Sequence, residues 1–356
     1  MSRYTLGLVV GKFAPLHFGH EWLVHQAVTQ CERLLILSYS KPEYDRCDVA
    51  RRRHWLNSRF PEHECWVIDD ELVERHCERL GVAARSIPLN TAEDSVHQDW
   101  LAWFLRDVMQ RQPDAMFCSE DYGASCARTL TRAFGKEVKA VLVDRERMRV
   151  PISATEIRHS PWIAAAWTAP VVANSFVRRI VILGGESSGK TTLAAALADR
   201  LGTCWVPEYG RELWEAQGGL QEEDLLKIAH EQIRREDAAI GASKAWLVCD
   251  TSPLTTCGYA GWMYGRVDPE LLRLAQRSYD AIVLCEPDFA FVQDGTRRDD
   301  SFRRRQHDWY QQQLRKVNAP WLVVGGSVDH RVDVVTTWLR DGCALDSQLT
   351  QDSFKE

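Results

Sequence analysis

The sequence lacks any Cys-x-x-Cys pair, although it carries eleven cysteines in 356 residues. The nearest neighbours, Cys118 with Cys126 and Cys249 with Cys257, are eight positions apart. Zinc-ligand spacing is therefore missing, which excludes a structural zinc site of the usual kind. Most cysteines sit in apolar runs such as Val248-Cys249 and Leu284-Cys285 and read as small core residues in a reducing compartment. No run of about 18 apolar residues occurs, so membrane insertion is not expected. Met1-Ser2-Arg3 leads into a strand-like segment and not into a signal-peptide pattern, which with the cysteines points to the cytoplasm. An excess of basic charge is also lacking. The net charge of −6 argues against a general polyanion binder and against nucleic acid as a partner. Basic residues cluster only locally, at Arg51-Arg52-Arg53 and Arg303-Arg304-Arg305. Each run reads as a solvated helix face, with phosphate contact an equal reading for the second and the lesser one for the first.

What is present is organised around one stretch, Gly11-Lys12-Phe13-Ala14-Pro15-Leu16-His17-Phe18-Gly19-His20. An apolar strand-like run, Tyr4–Val10, precedes it, and a helical segment, Glu21–Cys31, follows. Gly11 allows a sharp bend, and Gly19 removes bulk where a ligand could approach. His17 and His20, three apart in the first helical turn, are expected to point the same way. The helix N-terminus adds unpaired N–H groups and partial positive charge. The combination suits a phosphate chain with imidazole donors aimed at it. Nucleotidyl transfer is the matching reaction class, because an attacking phosphate is already an anion and needs positioning and charge neutralisation more than a base.

Strands alternate with helices through the first half. Arg33–Tyr39, Glu64–Ile68, Asp114–Ser119 and Val138–Val143 read as strands. Asp48 caps a helix to about Ser58, and 93–111 reads as one long amphipathic helix. This order predicts a doubly wound parallel sheet with its ligands at the strands' carboxyl ends. The half closes with Ile152-Ser153-Ala154-Thr155-Glu156-Ile157-Arg158. Ser153 and Glu156 have capping-box spacing, and Ser153, Thr155 and Arg158 are candidates for a second part of the same phosphate site. Residues 159–177, with Pro161, Trp162, Trp167 and Pro170, read as a stiff connector packed between domains. The boundary is expected near residue 172, giving domains 1–172 and 173–345 and a disordered tail 346–356.

The second half opens on an apolar strand, Arg179–Leu183, followed by Gly184-Gly185-Glu186-Ser187-Ser188-Gly189-Lys190-Thr191-Thr192 and a helix. This is the full G-x-x-x-x-G-K-[ST] pattern in the strand–loop–helix context it requires. Backbone N–H groups cradle phosphates there, Lys190 reaches the β- and γ-phosphates, and the Thr191 hydroxyl ligates Mg²⁺. Two carboxylates stand at ends of further strands, Glu208 and Asp250. Asp250 fits a Mg²⁺ ligand and Glu208 a base for a hydroxyl acceptor, with the roles open to exchange. Arg297, Arg298 and Arg303 lie where small P-loop kinases carry a lid over the transferring phosphoryl group. The fold expected overall is α/β: a nucleotidyltransferase Rossmann-like domain, then a P-loop kinase domain.

G-K-F-x-P-x-H-x-G-H with I-S-x-T-x-x-R resembles the nucleotidyltransferase superfamily, and most closely the nicotinamide mononucleotide adenylyltransferases. The resemblance implies that Gly11, Lys12, Phe13, His17, Gly19, His20, Ser153, Thr155 and Arg158 form the ATP site. It also implies that a tryptophan stacks on the nicotinamide ring, and Trp100 falls where that residue is expected, with core packing an equal reading. Ser119-Glu120-Asp121-Tyr122-Gly123 resembles the family's substrate-side loop. An adenylyltransferase followed by a P-loop kinase resembles the NadR family. Glu208-Tyr209-Gly210-Arg211-Glu212 and Phe176-Val177-Arg178-Arg179 share in that likeness. The resemblance implies ATP-dependent phosphorylation of nicotinamide riboside by the second half. Adenylyl transfer from ATP to nicotinamide mononucleotide by the first half would follow, with ATP as substrate and Mg²⁺ as cofactor.

Two departures matter. Family repressors carry an N-terminal helix-turn-helix, and this chain opens on a strand, so DNA binding is not expected. Asp250-Thr251-Ser252 stands where some members have D-T-D, which leaves kinase activity open. The alternatives are a coenzyme A synthase-like enzyme, whose first motif is usually T-x-G-H, and an adenylyltransferase whose P-loop half senses nucleotide. A homo-oligomer is compatible with the sequence.

Overall fold

The computed structural model describes residues 3–288, 300–341 and 343. It divides into two compact units, Met1–Phe176 and Val177–Glu356. Arg297, Arg298 and the tail 346–356 lie outside the described residues. Among the described residues no helix is long and apolar enough to cross a membrane.

In the first unit five strands, β1 (Tyr4–Gly11), β2 (Cys31–Tyr39), β3 (Glu64–Ile68), β4 (Ala115–Cys118) and β5 (Lys139–Leu142), form one sheet in the order β3-β2-β1-β4-β5. All neighbours pair in parallel. Helices cover both faces of such a sheet, so its central strands read as unbroken apolar runs. Period-2 alternation sends Val9 and Ile36 into one core cluster and Leu8, Leu35 and Leu37 into the other. The strand order reverses beside β1, and the carboxyl ends of β1 and β4 flank the crevice where ligands of this fold bind.

Two expectations change here. The long helix at 93–111 is helical over Asp94–Trp103 and then widens into a π-turn at Phe104–Val108. Phe104, Leu105 and Val108 stay buried across it. The connector packs as part of the first unit. Its short turns place Ala164, Val172 and Phe176 in the first core, and Trp55 Nε1 donates to Ser175 Oγ at 3.0 Å. The division falls after Phe176, four residues beyond the expected 172.

The Arg51–Arg53 run is not simply a solvated face, because Arg52 is fully buried. It donates to Cys47 O at 3.0 Å and Ser38 Oγ at 2.6 Å, and pairs with Glu43. Ser38 Oγ in turn donates to Lys12 O at 2.9 Å, so this cluster supports the loop after β1. Arg52→Met is expected to destabilise the first unit by about 2–3 kcal/mol, because it removes the donor from partly exposed Glu43, from Ser38 Oγ and from Cys47 O. Urea unfolding followed by tryptophan fluorescence measures this.

The second unit has strands β6 (Arg178–Gly184), β7 (Trp205–Val206), β8 (Trp246–Asp250), β9 (Ala281–Cys285) and β10 (Trp321–Val324). They form a parallel sheet in the order β10-β9-β6-β8-β7. The loop after β6 enters the helix Lys190–Leu201, with Gly189 as N-cap at φ 80°. That left-handed backbone is why a glycine precedes Lys190.

Candidate functional site

In the first unit a cavity of ≈ 390 Å³ opens at the carboxyl ends of β1 and β4. Lys12, His17, His20, Ser153, Thr155 and Arg158 all line it, so two motifs about 140 residues apart in sequence meet there. Arg158 ties them together. It donates to Ala14 O, to Thr155 Oγ1 at 2.8 Å, and stacks 4.0 Å over the Tyr44 ring. Ser153 caps its helix and closes the expected box with Glu156. Gly11 and Phe13 also line the cavity. The bend is at Phe13, which takes φ 47°, and not at Gly11. Gly19 has a different use from the one expected. A Cβ there would sit 2.9 Å from His17 Cε1, so the missing side chain makes room for the His17 ring, not for a ligand.

The two imidazoles stack with centroids 3.7 Å apart. His17 is the N-cap of the helix Phe18–Val28, so it precedes the first turn. Its Nδ1 accepts from Gly19 N at 3.1 Å, and its own N–H donates to His20 Nδ1 at 3.4 Å. With Nδ1 an acceptor on each ring, the ring proton sits on Nε2 and each neutral imidazole is a donor. Burial pulls His17 down to about 4, helped by the Arg147 charge, and pulls His20 well below the usual imidazole range. Both histidines are therefore neutral donors at physiological pH.

The shift has a stability consequence. An unfolded His17 binds its proton near pH 6.5 and the folded one near 4, so the unfolded state takes up more protons between those values. His17 thus contributes stability above pH 6.5 that is lost as pH falls through about 4, roughly 3 kcal/mol in all. The melting temperature of the first unit is expected to fall over that window, and less steeply in His17→Asn.

Of the two readings of Trp100, the structure places it in the core. Its ring is buried in the core, stacked on Phe104 at 5.1 Å, with Nε1 donating to Arg85 O at 3.2 Å, and it does not line the cavity. The adjacent face of the same helix does, through Asp94, His97, Gln98 and Leu101. His97 Nδ1 lies 3.3 Å from the Tyr39 hydroxyl and its Nε2 is 3.1 Å from Leu89 O. Sequence reasoning missed these residues. The signal was a polar stripe, Asp94, His97 and Gln98, at helical spacing.

In the second unit the P-loop runs from Gly184 to Thr192. Ser188 Oγ donates to Gly185 O at 2.8 Å, and Lys190 Nζ rests on the same carbonyl at 2.9 Å. The Glu186 N–H donates to Gln306 Oε1 at 2.8 Å and its carboxylate accepts from the Tyr259 hydroxyl at 3.1 Å. Arg331, also missed in the sequence, is fully buried and donates to Ser188 O at 2.7 Å, holding the loop from behind. Of the three lid arginines only Arg303 is described, buried on the helix Asp300–Leu314, its carbonyl oxygen 2.7 Å from where a Gly185 Cβ would stand.

The strand-end carboxylates flank Lys190. Asp250 is buried, accepts from Thr191 Oγ1 at 2.6 Å through Oδ2, and has no hydrogen-bond partner for Oδ1. Thr251 beside it takes φ 70°, a strained backbone for a β-branched residue. Burial raises both Asp250 and Glu208 above the ordinary carboxylate range, with Lys190 opposing the rise in each. A hydroxyl and an unpartnered carboxylate oxygen beside a phosphate loop are the hard oxygen donors that Mg²⁺ takes when phosphates complete its shell. Ser252 is the N-cap of the helix Pro253–Tyr264 and accepts from Leu254 N at 3.2 Å.

The fold and the two sites define a class: a nucleotidyltransferase-type Rossmann unit followed by a P-loop kinase unit on one chain. A family model described as an AAA domain matches residues 179–331. The trifunctional NAD biosynthesis/regulator protein NadR of Escherichia coli (strain K12) is 30% identical over 316 residues, covering 83% of this chain and 72% of that protein. The protein of the same description from Salmonella typhimurium (strain LT2) is 29% identical over 313 residues, covering 82% and 72%. A NadR protein solved with NAD and AMP-PNP superposes with a TM-score of 0.70 at 17% identity, over 95% of this chain and 97% of that one. Another, in complex with NR, gives 0.69 at 18% identity, over 97% and 98%. The chain belongs to the NadR family.

Proposed function

We propose that this chain makes NAD in two steps. The second unit phosphorylates nicotinamide riboside with ATP, and the first joins the resulting mononucleotide to AMP from another ATP, releasing pyrophosphate. The observation that carries the reading is the pairing of two unrelated phosphate cradles on one chain of this family, one built from neutral histidines and one from a P-loop. Membership sets aside the coenzyme A synthase alternative.

In the first unit the mononucleotide phosphate attacks the α-phosphorus of ATP. His17 and His20 donate Nε2–H to phosphate oxygens as charge shifts toward the leaving pyrophosphate. Lys12, Ser153, Thr155 and Arg158 hold the triphosphate in line. In the second unit the P-loop amides and Lys190 hold the phosphates of ATP. Glu208 takes the proton of the riboside hydroxyl, its raised pKa matching it to that task. Thr191 and Asp250 would hold Mg²⁺, which when bound neutralises phosphate charge.

Incubation with Mg-ATP and either nicotinamide riboside or nicotinamide mononucleotide tests the reading. NAD is expected from both. NAD from the mononucleotide alone would recast the P-loop unit as a sensor, and NAD from neither would overturn the assignment.

A further inference from the structure

The loop between β5 and the Ser153 helix carries a charge that neither motif accounts for. Asp144 and Arg147 both take left-handed backbone, at φ 49° and 52°. The Asp144 carboxylate accepts from the N–H groups of Met148 at 2.9 Å and Arg149 at 3.0 Å, so one side chain holds the loop in shape. Arg147 lines the cavity with His17, His20, Thr155 and Arg158. There its guanidinium donates to Glu120 Oε1 at 3.1 Å. Glu120 also lines the cavity and belongs to the Ser119–Gly123 loop after β4. A second pair joins the same loops, Arg145 to Asp121 at 2.6 Å; both pairs reach solvent, but neither member of this one lines the cavity.

The two pairs thus join the same two loops and differ in place. An exposed ion pair adds little stability. Inside a phosphate cavity, a guanidinium resting on a single carboxylate is held ready for a ligand with more charge and more acceptor oxygens. A phosphate offers both, in the fork geometry arginine matches best. The Arg147 charge is also felt by both histidines, which helps keep them neutral.

We propose that Arg147 binds a nucleotide phosphate in the adenylyltransferase site and exchanges Glu120 for it when substrate enters. The inference rests on the adenylyltransferase reading. The phosphate belongs to ATP or to the mononucleotide, and kinetics with each varied in turn tell them apart.

The experiment is NAD formation by the full chain as wild type, Arg147→Ala, Arg147→Lys and Arg145→Ala. Arg147→Ala is expected to lose about 10- to 100-fold in kcat/KM. A rise in KM for ATP assigns the phosphate to ATP, and a rise for the mononucleotide assigns it there. A fall in kcat alone places the contact in the transition state. Arg147→Lys recovers part of the loss, and added guanidinium restores part of the Arg147→Ala rate, which a purely structural residue would not show. Arg145→Ala stays within about twofold of wild type. The proposal is overturned if Arg147→Ala keeps both kcat/KM values within that range, or if Arg145→Ala loses as much. Absence of NAD from the wild type would instead sink the adenylyltransferase reading itself.

Discussion

His20→Ala is expected to slow adenylyl transfer about 10²- to 10³-fold, roughly 3–4 kcal/mol of barrier, with most of the loss in kcat. The size follows from the geometry. His20 is a neutral donor whose Nδ1 is already committed to the His17 N–H, so its Nε2–H is preorganised and no rearrangement accompanies the shift of charge toward pyrophosphate. The stacked His17 ring loses its partner as well, so the two residues act as a unit. The double variant is expected to lose less than the product of the single losses. Phosphorylation of the riboside by the other unit should continue at the wild-type rate, and an unchanged melting temperature of the first unit excludes a folding defect there. A His20→Ala rate within about threefold of wild type would remove this donor from the mechanism.

Glu208→Gln is expected to lower phosphoryl transfer to the riboside about 10²- to 10⁴-fold, the range for loss of a positioned base, with KM for ATP little changed. Glu208 and Asp250 are told apart by their surroundings. Asp250 is buried and accepts from Thr191 Oγ1, which fits holding a cation beside the P-loop. The Glu208 side chain is 19% exposed, and its Oε2 is 3.8 Å from Arg211, so an acceptor can reach it. Asp250→Asn should therefore raise the Mg²⁺ concentration needed for half-maximal rate, whereas Glu208→Gln should not. Because burial raises the Glu208 pKa, the acid limb of wild-type phosphoryl transfer should lie above that of a free carboxylate. Activity is lost as pH falls through the raised value, and the limb is absent in Glu208→Gln. A Glu208→Gln enzyme with an unchanged pH profile and a raised Mg²⁺ requirement would exchange the two roles.

The parts legible in the sequence were those set by contiguous patterns. The apolar runs of β1 and β6, each followed by a glycine-bearing loop and a helix, predict both doubly wound sheets, because parallel strands must be apolar on both faces. The Ser153–Arg158 segment announces its own cap. What the sequence hid depends on which side of an element faces the cavity. Trp100 and His97 share one helix, and sequence left Trp100 open between ring stacking and core packing, whereas the structure packs its ring on Phe104 and turns His97 to the cavity. Arg52 and Arg331 look like surface charges in sequence, yet both are fully buried and hold backbone carbonyls. Arg147 has no motif around it, and it reaches the cavity on a loop held by Asp144 and paired with Glu120. Arg297 and Arg298, expected over the phosphoryl group, lie outside the described residues.

The most direct test of the two-site account follows the phosphorus atoms. NAD would be made from unlabelled nicotinamide riboside with ATP labelled either at the γ- or at the α-phosphorus. The account predicts that each label enters NAD once. The γ-phosphorus should appear on the nicotinamide side and the α-phosphorus on the adenosine side. NAD carrying the α-label without the γ-label, or no NAD from the riboside at all, would contradict it.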